Sequence, residues 1–337
     1  MTAPVPTTAP ALPELVDVAV IGGAAAGLNA ALMLGRSLRS VVVLDAGTPR
    51  NAPAAGVHGL LGREGTPPLE LLARGREEVR SYGGLILEDA VLAARPADPV
   101  DGDLRFALDL ASGARLTARR IIVATGVRDE LPELPGLAEH WGHGLVHCPY
   151  CHGYEVRDRA IGIVAVGAGS VHQALMFRQL SEDVVYLVRG TELPEDGRAL
   201  LAARGVRILE EDVVEVLAAD DADPVTGSRV AGVRLASGET LAREVLAVAS
   251  RVHPRLDGLE GLGLGIEEMP GGFGEKVPTA MAGVTAVPGV WAAGNVAEPM
   301  AQVGASAAGG ALAGAHVNGD LVMAEAQAAA VSAPSAA

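Results

Sequence analysis

The chain has 337 residues, 49% of them hydrophobic and 20% charged, with a formal net charge of −15. That length predicts two domains of ordinary size with a substantial core, and the composition excludes a disordered chain. The acidic balance argues against nucleic acid or an anionic membrane surface as a partner. The most apolar stretch, from Val18, is broken by Gly22, Gly23, Gly27 and Asn29, so no segment reads as membrane-spanning. Residues 1–15 lack a basic start and an apolar run, so they are not a secretory signal. Together with residues 326–337 they read as disordered tails, with part of the C-terminal one able to extend a last helix, and the protein is expected to be cytoplasmic.

Asp17 to Ile21 reads as a buried strand, followed at once by GGAAAG and a helical run. The next strand, Ser40 to Ala46, contains Asp45, twenty-three positions after Gly22. Gly22 permits the tight turn, Gly27 lets helix and strand approach, and Ala24 leaves the backbone nearly open to a pyrophosphate. Asp45 lies where a carboxylate accepts hydrogen bonds from ribose hydroxyls. An amphipathic helix from Pro68 and several short strands lead to the strand RRIIVATG, ending in Gly126.

Beyond HCPYCH the opening pattern returns as AIGIVAVGAGSVHQA, with Gly167 lying 145 residues after Gly22. The repeat predicts two Rossmann-like units. A strand, Gly289 to Asn295, and a long small-residue helix from near Gln302 complete the chain. The fold class is therefore α/β, with two three-layer nucleotide-binding domains, the second inserted into the first. Residues 16–125 and 249–325 would form the first, discontinuous nucleotide-binding domain, and 126–248 the second, which carries both cysteines.

Two cysteines in the chain, Cys148 and Cys151, are spaced C-x-x-C, a pattern that is redox-active or metal-binding. A neighbouring imidazolium and a turn of helix would stabilise a thiolate there. His152 follows directly and is suited to general acid–base work. His143, His147, Cys148, Cys151 and His152 would suffice for zinc, but they come from one short stretch, and structural zinc usually draws ligands from two. The redox reading is preferred, no metal is expected, and His143 and His147 read as loop histidines without a role.

The second glycine turn keeps Gly167 and Gly169 but has His172 where a small residue is wanted, and that ring is expected to crowd helix against strand. Arg189 stands alone where a 2′-phosphate wants clustered arginines, with Glu192, Glu195 and Asp196 nearby. The domain fold is expected to survive; tight NAD(P)H binding is not.

Four motifs in order, IGGAAAGL, VATG (Val123 to Gly126), CPYC and GVWAAGN, make the chain resemble the low-molecular-weight thioredoxin reductase family over nearly its full length. The resemblance implies a homodimer and FAD held at Gly22, Ala24, Ala26, Gly27, Asp45, Ala124, Gly126, Gly294, Asn295, Gln302 and Val303. Asn295 would contact the ribityl chain, and the helix starting near Gln302 would aim at the flavin ring. Three positions depart from the family pattern: His152 replaces an Asp, V-R-G-T replaces the arginine cluster, and Asn295 replaces an Asp.

The C-x-x-C-H arrangement, the degraded second site and the loop around His58 are similar to the branch containing the dithiol oxidases of gliotoxin and holomycin biosynthesis. That similarity implies Cys148 facing substrate, Cys151 facing flavin, His152 as acid/base and oxygen as acceptor. The partner would be a small-molecule dithiol or disulfide. The alternatives are a reductase acting on a thioredoxin-like protein or small disulfide, and a non-catalytic FAD- or zinc-bound redox module.

Overall fold

The computed structural model describes residues 12–167, 169–219 and 229–332. In chain order, β1 (Leu15–Ile21), α1 (Ala25–Arg36), β2 (Val41–Leu44), α2 (Pro68–Ser81) and β3 (Leu85–Leu87) form the first unit, and β4 (Val91–Val100), β5 (Asp103–Leu110) and β6 (Arg115–Val123) a meander. Next come β7 (Val127–Glu130), β8 (Leu145–Val146), α3 (Pro149–His152), β9 (Ile161–Val164), α4 (Gly169–Arg178), β10 (Val184–Leu187), α5 (Glu195–Ala203) and β11 (Arg207–Leu209). Three short strands follow, β12 (Val213–Ala218), β13 (Val230–Leu235) and β14 (Thr240–Ala242), and then β15 (Val245–Val248) and β16 (Arg251–Pro254). The chain ends with β17 (Glu267–Glu268), β18 (Glu275–Lys276), β19 (Val290–Ala292) and α6 (Val303–Ser332).

Two sheets organise these elements. The first is seven-stranded, in the order β3-β2-β1-β6-β5-β4 with β19 also on β6; the second is five-stranded, β11-β10-β9-β15-β8. Pairings at the heart of each sheet are parallel, and the strands are buried Val/Ile/Leu runs because both faces are covered. Along β1, Ala19 and Ile21 join the cluster of Phe106 and Ile121, while Val18 and Val20 join that of Leu34 and Val317. Alternation along the strand thus feeds two cores, one on each face. The units are joined where β7 pairs antiparallel with β16.

Helices α1 and α6 pack through small residues: a Cβ at Gly310 would run into Ala26 O, and one at Gly314 would lie 2.6 Å from Ala30 O. Charge pins the far end of α6 to the sheet. Arg119 binds Asp17 (2.7 Å), Asp103 (2.6 Å) and Glu325 (2.7 Å), and Arg120 binds Asp103 (3.0 Å) and Asp320 (2.5 Å). Helix α6 continues beyond the last residue of this network, Glu325, to Ser332, so it runs into the segment expected to be a disordered tail from 326; residues 333–337 lie outside the described residues. At the other end Leu15 already belongs to β1 and Glu14 O accepts from Thr117 N (3.1 Å), so the expected tail stops short of 15; residues 1–11 lie outside the described residues.

Candidate active site

The chain crosses from β2 to β6 around β1, which opens a crevice above the carboxyl ends of these strands. Gly22 sits there at φ +112°, with no room for a Cβ against Ala124 O. A side chain on Gly23 would strike the Asp45 carboxylate, and one on Gly27 would strike Gly22 O. Helix α1 starts behind this turn with Ala24 as N-cap, no side-chain cap and no acid in its first turn, so its N–H groups face the crevice uncompensated. A cavity of about 920 Å³ runs from Asp45 to the cysteines. Every site residue named from the sequence lines it except Gly27, whose role is the close packing behind.

Asp45 is anchored by the Gly47 N–H (2.9 Å) and by Arg76 (2.6 Å) from α2. Arg76 was not foreseen, because a helical arginine thirty-one residues away carries no motif. The Asn295 amide donates to the carbonyls of Glu298 (3.2 Å), Pro299 (3.0 Å) and Ala301 (2.8 Å), bracing the loop that delivers Gln302 and Val303 to the cavity. Thr125 Oγ1 lines the cavity's wall, buried and without a partner. Turn glycines with no space for a methyl, an uncapped helix start, an anchored carboxylate and an orphaned hydroxyl fit FAD laid along this cleft.

At its other end Cys148 and Cys151 are joined as a disulfide, with Cα atoms 5.2 Å apart. Cys148 caps the one-turn helix α3, and Cys151 N donates to its carbonyl (3.2 Å). Gln302 Nε2 lies 4.0 Å from Cys148 Sγ and 3.9 Å from Cys151 Sγ, so the start of α6 meets the disulfide. His152 shares the cavity; both its ring nitrogens are buried without partners. Burial pushes its pKa down, with His58 among the smaller causes in the same direction, against the Glu155 charge. The expected imidazolium is therefore a neutral ring that can accept a proton.

His147 is not the idle loop residue the sequence suggested. Its Nδ1 donates to Val248 O (3.0 Å) and approaches Ser250 Oγ at 3.4 Å. Ser250 donates to Asp129 (2.6 Å), which also holds Arg50 through Nε (2.7 Å). Burial raises the Asp129 pKa, yet the Arg50 guanidinium outweighs it and keeps the carboxyl ionised. The network ties the first unit, both linking segments and the residue before Cys148 together. Among the described residues no three His, Cys, Asp or Glu side chains gather to hold a metal ion.

The second glycine turn looks different from its sequence. His172 is exposed on α4 and crowds nothing; Gln173, one position on, faces inward and donates to His147 O (2.7 Å). The obstruction is Phe273, from the turn between β17 and β18: its ring lies where a Cβ on Gly169 would sit. Phe273 O accepts from Val252 N (3.0 Å), fixing that turn on β16. Arg189 is turned onto the carbonyls of Ala165 (3.4 Å) and Glu133 (3.3 Å).

A family model described as pyridine nucleotide-disulphide oxidoreductase matches residues 16–315. The chain belongs to that family. It is a flavin oxidoreductase of the thioredoxin reductase type, acting on disulfides. Thioredoxin reductase tcpT of Claviceps purpurea is 36% identical over 84% of this chain and 87% of the relative. Thioredoxin reductase sirT of Leptosphaeria maculans is 30% identical over 91% and 94%. The crystal structure of HlmI superposes with a TM-score of 0.85 at 43% identity, covering 94% of this chain and 95% of that one. An oxidoreductase from Agrobacterium tumefaciens gives 0.81 at 36%, covering 91% and 99%. Among the described residues no helix is long and apolar enough to cross a membrane.

Proposed function

We propose that this family member oxidises a small-molecule dithiol to a disulfide through Cys148 and Cys151, with FAD and oxygen as the onward acceptors. The observation that carries the reading is the Phe273 ring on Gly169, because a pyridine nucleotide needs close backbone approach at that turn. With that entry stoppered, the electrons that reach the disulfide come from a thiol substrate.

Glycines 22 and 23, Asp45, Thr125, Asn295 and the start of α6 would hold FAD, which accepts an electron pair and passes it to oxygen when bound. The protein's own groups perform the thiol chemistry. A substrate thiolate attacks Cys148 Sγ, the Cys148–Cys151 bond breaks, and its electron pair leaves on Cys151 Sγ. The second substrate thiol then displaces Cys148, closing the product disulfide. Neutral His152 takes a proton in the course of this exchange. The exposed Leu312, Val322 and Met323 on α6 support the homodimer that the resemblance implies.

A second reading runs the same cysteines in reverse, reducing a disulfide at the expense of NAD(P)H. The names of the curated relatives favour it. Mixing the yellow protein anaerobically with NADPH, NADH or a dithiol decides between them. Bleaching by dithiol alone, reversed by air with peroxide formed, is the expected result; rapid bleaching by NADPH defeats the oxidase reading.

A further inference from the structure

We propose that His58, held by Glu64, is the proton acceptor for the thiol that enters the cavity, a second imidazole working beside His152. The inference rests on the dithiol-oxidising reading and assigns a residue to its first step.

The loop around His58 closes on itself. Val57 N donates to Thr66 O (2.8 Å) and Gly65 N to Val57 O (2.9 Å). Inside this ring the Glu64 carboxylate takes the Gly59 N–H (2.9 Å) and His58 Nδ1 (2.6 Å). These two contacts, the imidazole foremost, hold the Glu64 carboxyl below its usual pKa. An ionised carboxylate only accepts, so Nδ1 carries a proton, and in the neutral ring Nε2 presents the lone pair. The loop therefore selects one tautomer of one histidine.

Its placement is as specific as its tautomer. His58 lines the cavity that holds Cys148, Cys151 and His152. The adjacent Gly59 lies against Gln302, whose side-chain oxygen is 3.5 Å from where a Cβ on Gly59 would stand. The same side chain reaches both sulfurs. Facing His58 from the disulfide-bearing unit are Glu155, with Oε1 3.6 Å from Nε2, and His152. The Glu155 carboxylate is too distant for a hydrogen bond and stands on the Nε2 side of the ring.

Two protons have to be placed, and two imidazoles, His58 and His152, line the cavity. Oxidising a dithiol to a disulfide releases two protons and two electrons. The first thiol gives its proton to His58 Nε2, and its sulfur bonds to Cys148 Sγ as the Cys148–Cys151 bond breaks onto Cys151 Sγ. The second thiol gives its proton to His152, and its sulfur bonds to the first as the mixed disulfide breaks onto Cys148 Sγ. Both electrons then reside on the two cysteine thiolates, and both protons on the two imidazoles. His152, with its ring nitrogens shut from water, is poorly placed to discharge a proton between the steps. His58, with 23% of its side chain exposed and a carboxylate on either side, is open to solvent.

The test uses the FAD-loaded protein, anaerobic, with dithiothreitol. Flavin absorbance and, in parallel, alkylation-quenched intact mass report opening of the disulfide over a range of pH. Wild-type protein whose disulfide the dithiol does not open overturns both this inference and the reading beneath it. If wild type opens, His58→Gln is expected to open about a hundredfold more slowly and to lose one limb of the pH profile, with bound FAD and reoxidation by air unchanged. Glu64→Gln keeps an acceptor at Nδ1 without the charge, so it is expected to open about tenfold more slowly, with the limb moved to lower pH. A His58→Gln rate within twofold of wild type at every pH, or a Glu64→Gln profile that does not move, overturns the role of His58 and leaves dithiol oxidation standing.

Discussion

Gln302 places its amide nitrogen 3.9 Å from Cys151 Sγ, so the residue that precedes the last helix touches the sulfur at the other end of the insertion. The contact joins the first unit's cofactor cleft to the second unit's chemistry, and it has a measurable consequence. An N–H donor beside a sulfur lowers the free energy of its thiolate. In the reduced protein Gln302→Leu is expected to raise the thiol pKa and slow alkylation at neutral pH by about threefold to tenfold. Iodoacetamide labelling against pH, resolved by peptide mass, measures it; an unmoved labelling curve would mean the amide serves only the loop.

Phe273 yields the second prediction. Phe273 is half-buried, so moving its ring off the glycine turn into water costs about 1 kcal/mol, and a nucleotide entering that turn must meet this cost. Phe273→Ala removes it, so NADH affinity is expected to rise about fivefold. Equilibrium dialysis with NADH detects the change. Equal, undetectable binding by both proteins would show that something other than the ring closes the turn.

Along α6 the glycines separate by what faces them. A Cβ at Gly310 meets the Ala26 carbonyl, which belongs to the backbone of α1 and cannot swing away; one at Gly319 meets nothing. Gly310→Ala is expected to lose about 2–3 kcal/mol through forced separation of the helices. Gly319→Ala should gain about 0.5–1 kcal/mol, because alanine restricts the unfolded chain. Urea unfolding of the two variants beside wild type distinguishes them by sign.

Acid should loosen the charged seam beneath α6. Burial raises the Asp103 pKa, but Arg105, Arg119 and Arg120 outweigh it and hold the group at about 2. Glu325, bound by Arg39 and Arg119, is likewise held at about 2. Both are lowered from the ordinary carboxylate range, so their contribution is complete above about pH 5 and is lost as pH falls through about 2. Allowing for solvent screening, Asp103→Asn is expected to cost about 1 kcal/mol at pH 7 and almost nothing at pH 2. Thermal melts at the two pH values check this, and an equal loss at both would assign the effect to packing.

The cofactor cleft was legible in the sequence because its demands fall on the backbone. Gly22 needs a left-handed turn without a Cβ, Asp45 must follow the next strand, and Cys148 must begin and Cys151 lie within one turn of helix. Such demands select residue types at short, fixed spacings. The supporting groups were not legible. Arg50 reaches Asp129 across 79 residues, His147 reaches Val248 across 101, and Phe273 covers Gly169 from a turn with no motif. Those partners are set by how the two units meet, and no periodicity records it. His172 was misread for a simpler reason: one step along a helix turns a side chain by about 100°, which sends His172 to water and Gln173 inward.

The stopper at Gly169 has a meaning beyond the molecule under the reading proposed here. A reductase of this family would take its rate from the cell's nicotinamide pool. Under that reading, with Phe273 in that seat, turnover would be set by the supplies of thiol and of air. The protein would then work as a one-way valve, insulated from the surrounding metabolism, and would release one peroxide for every substrate it closes.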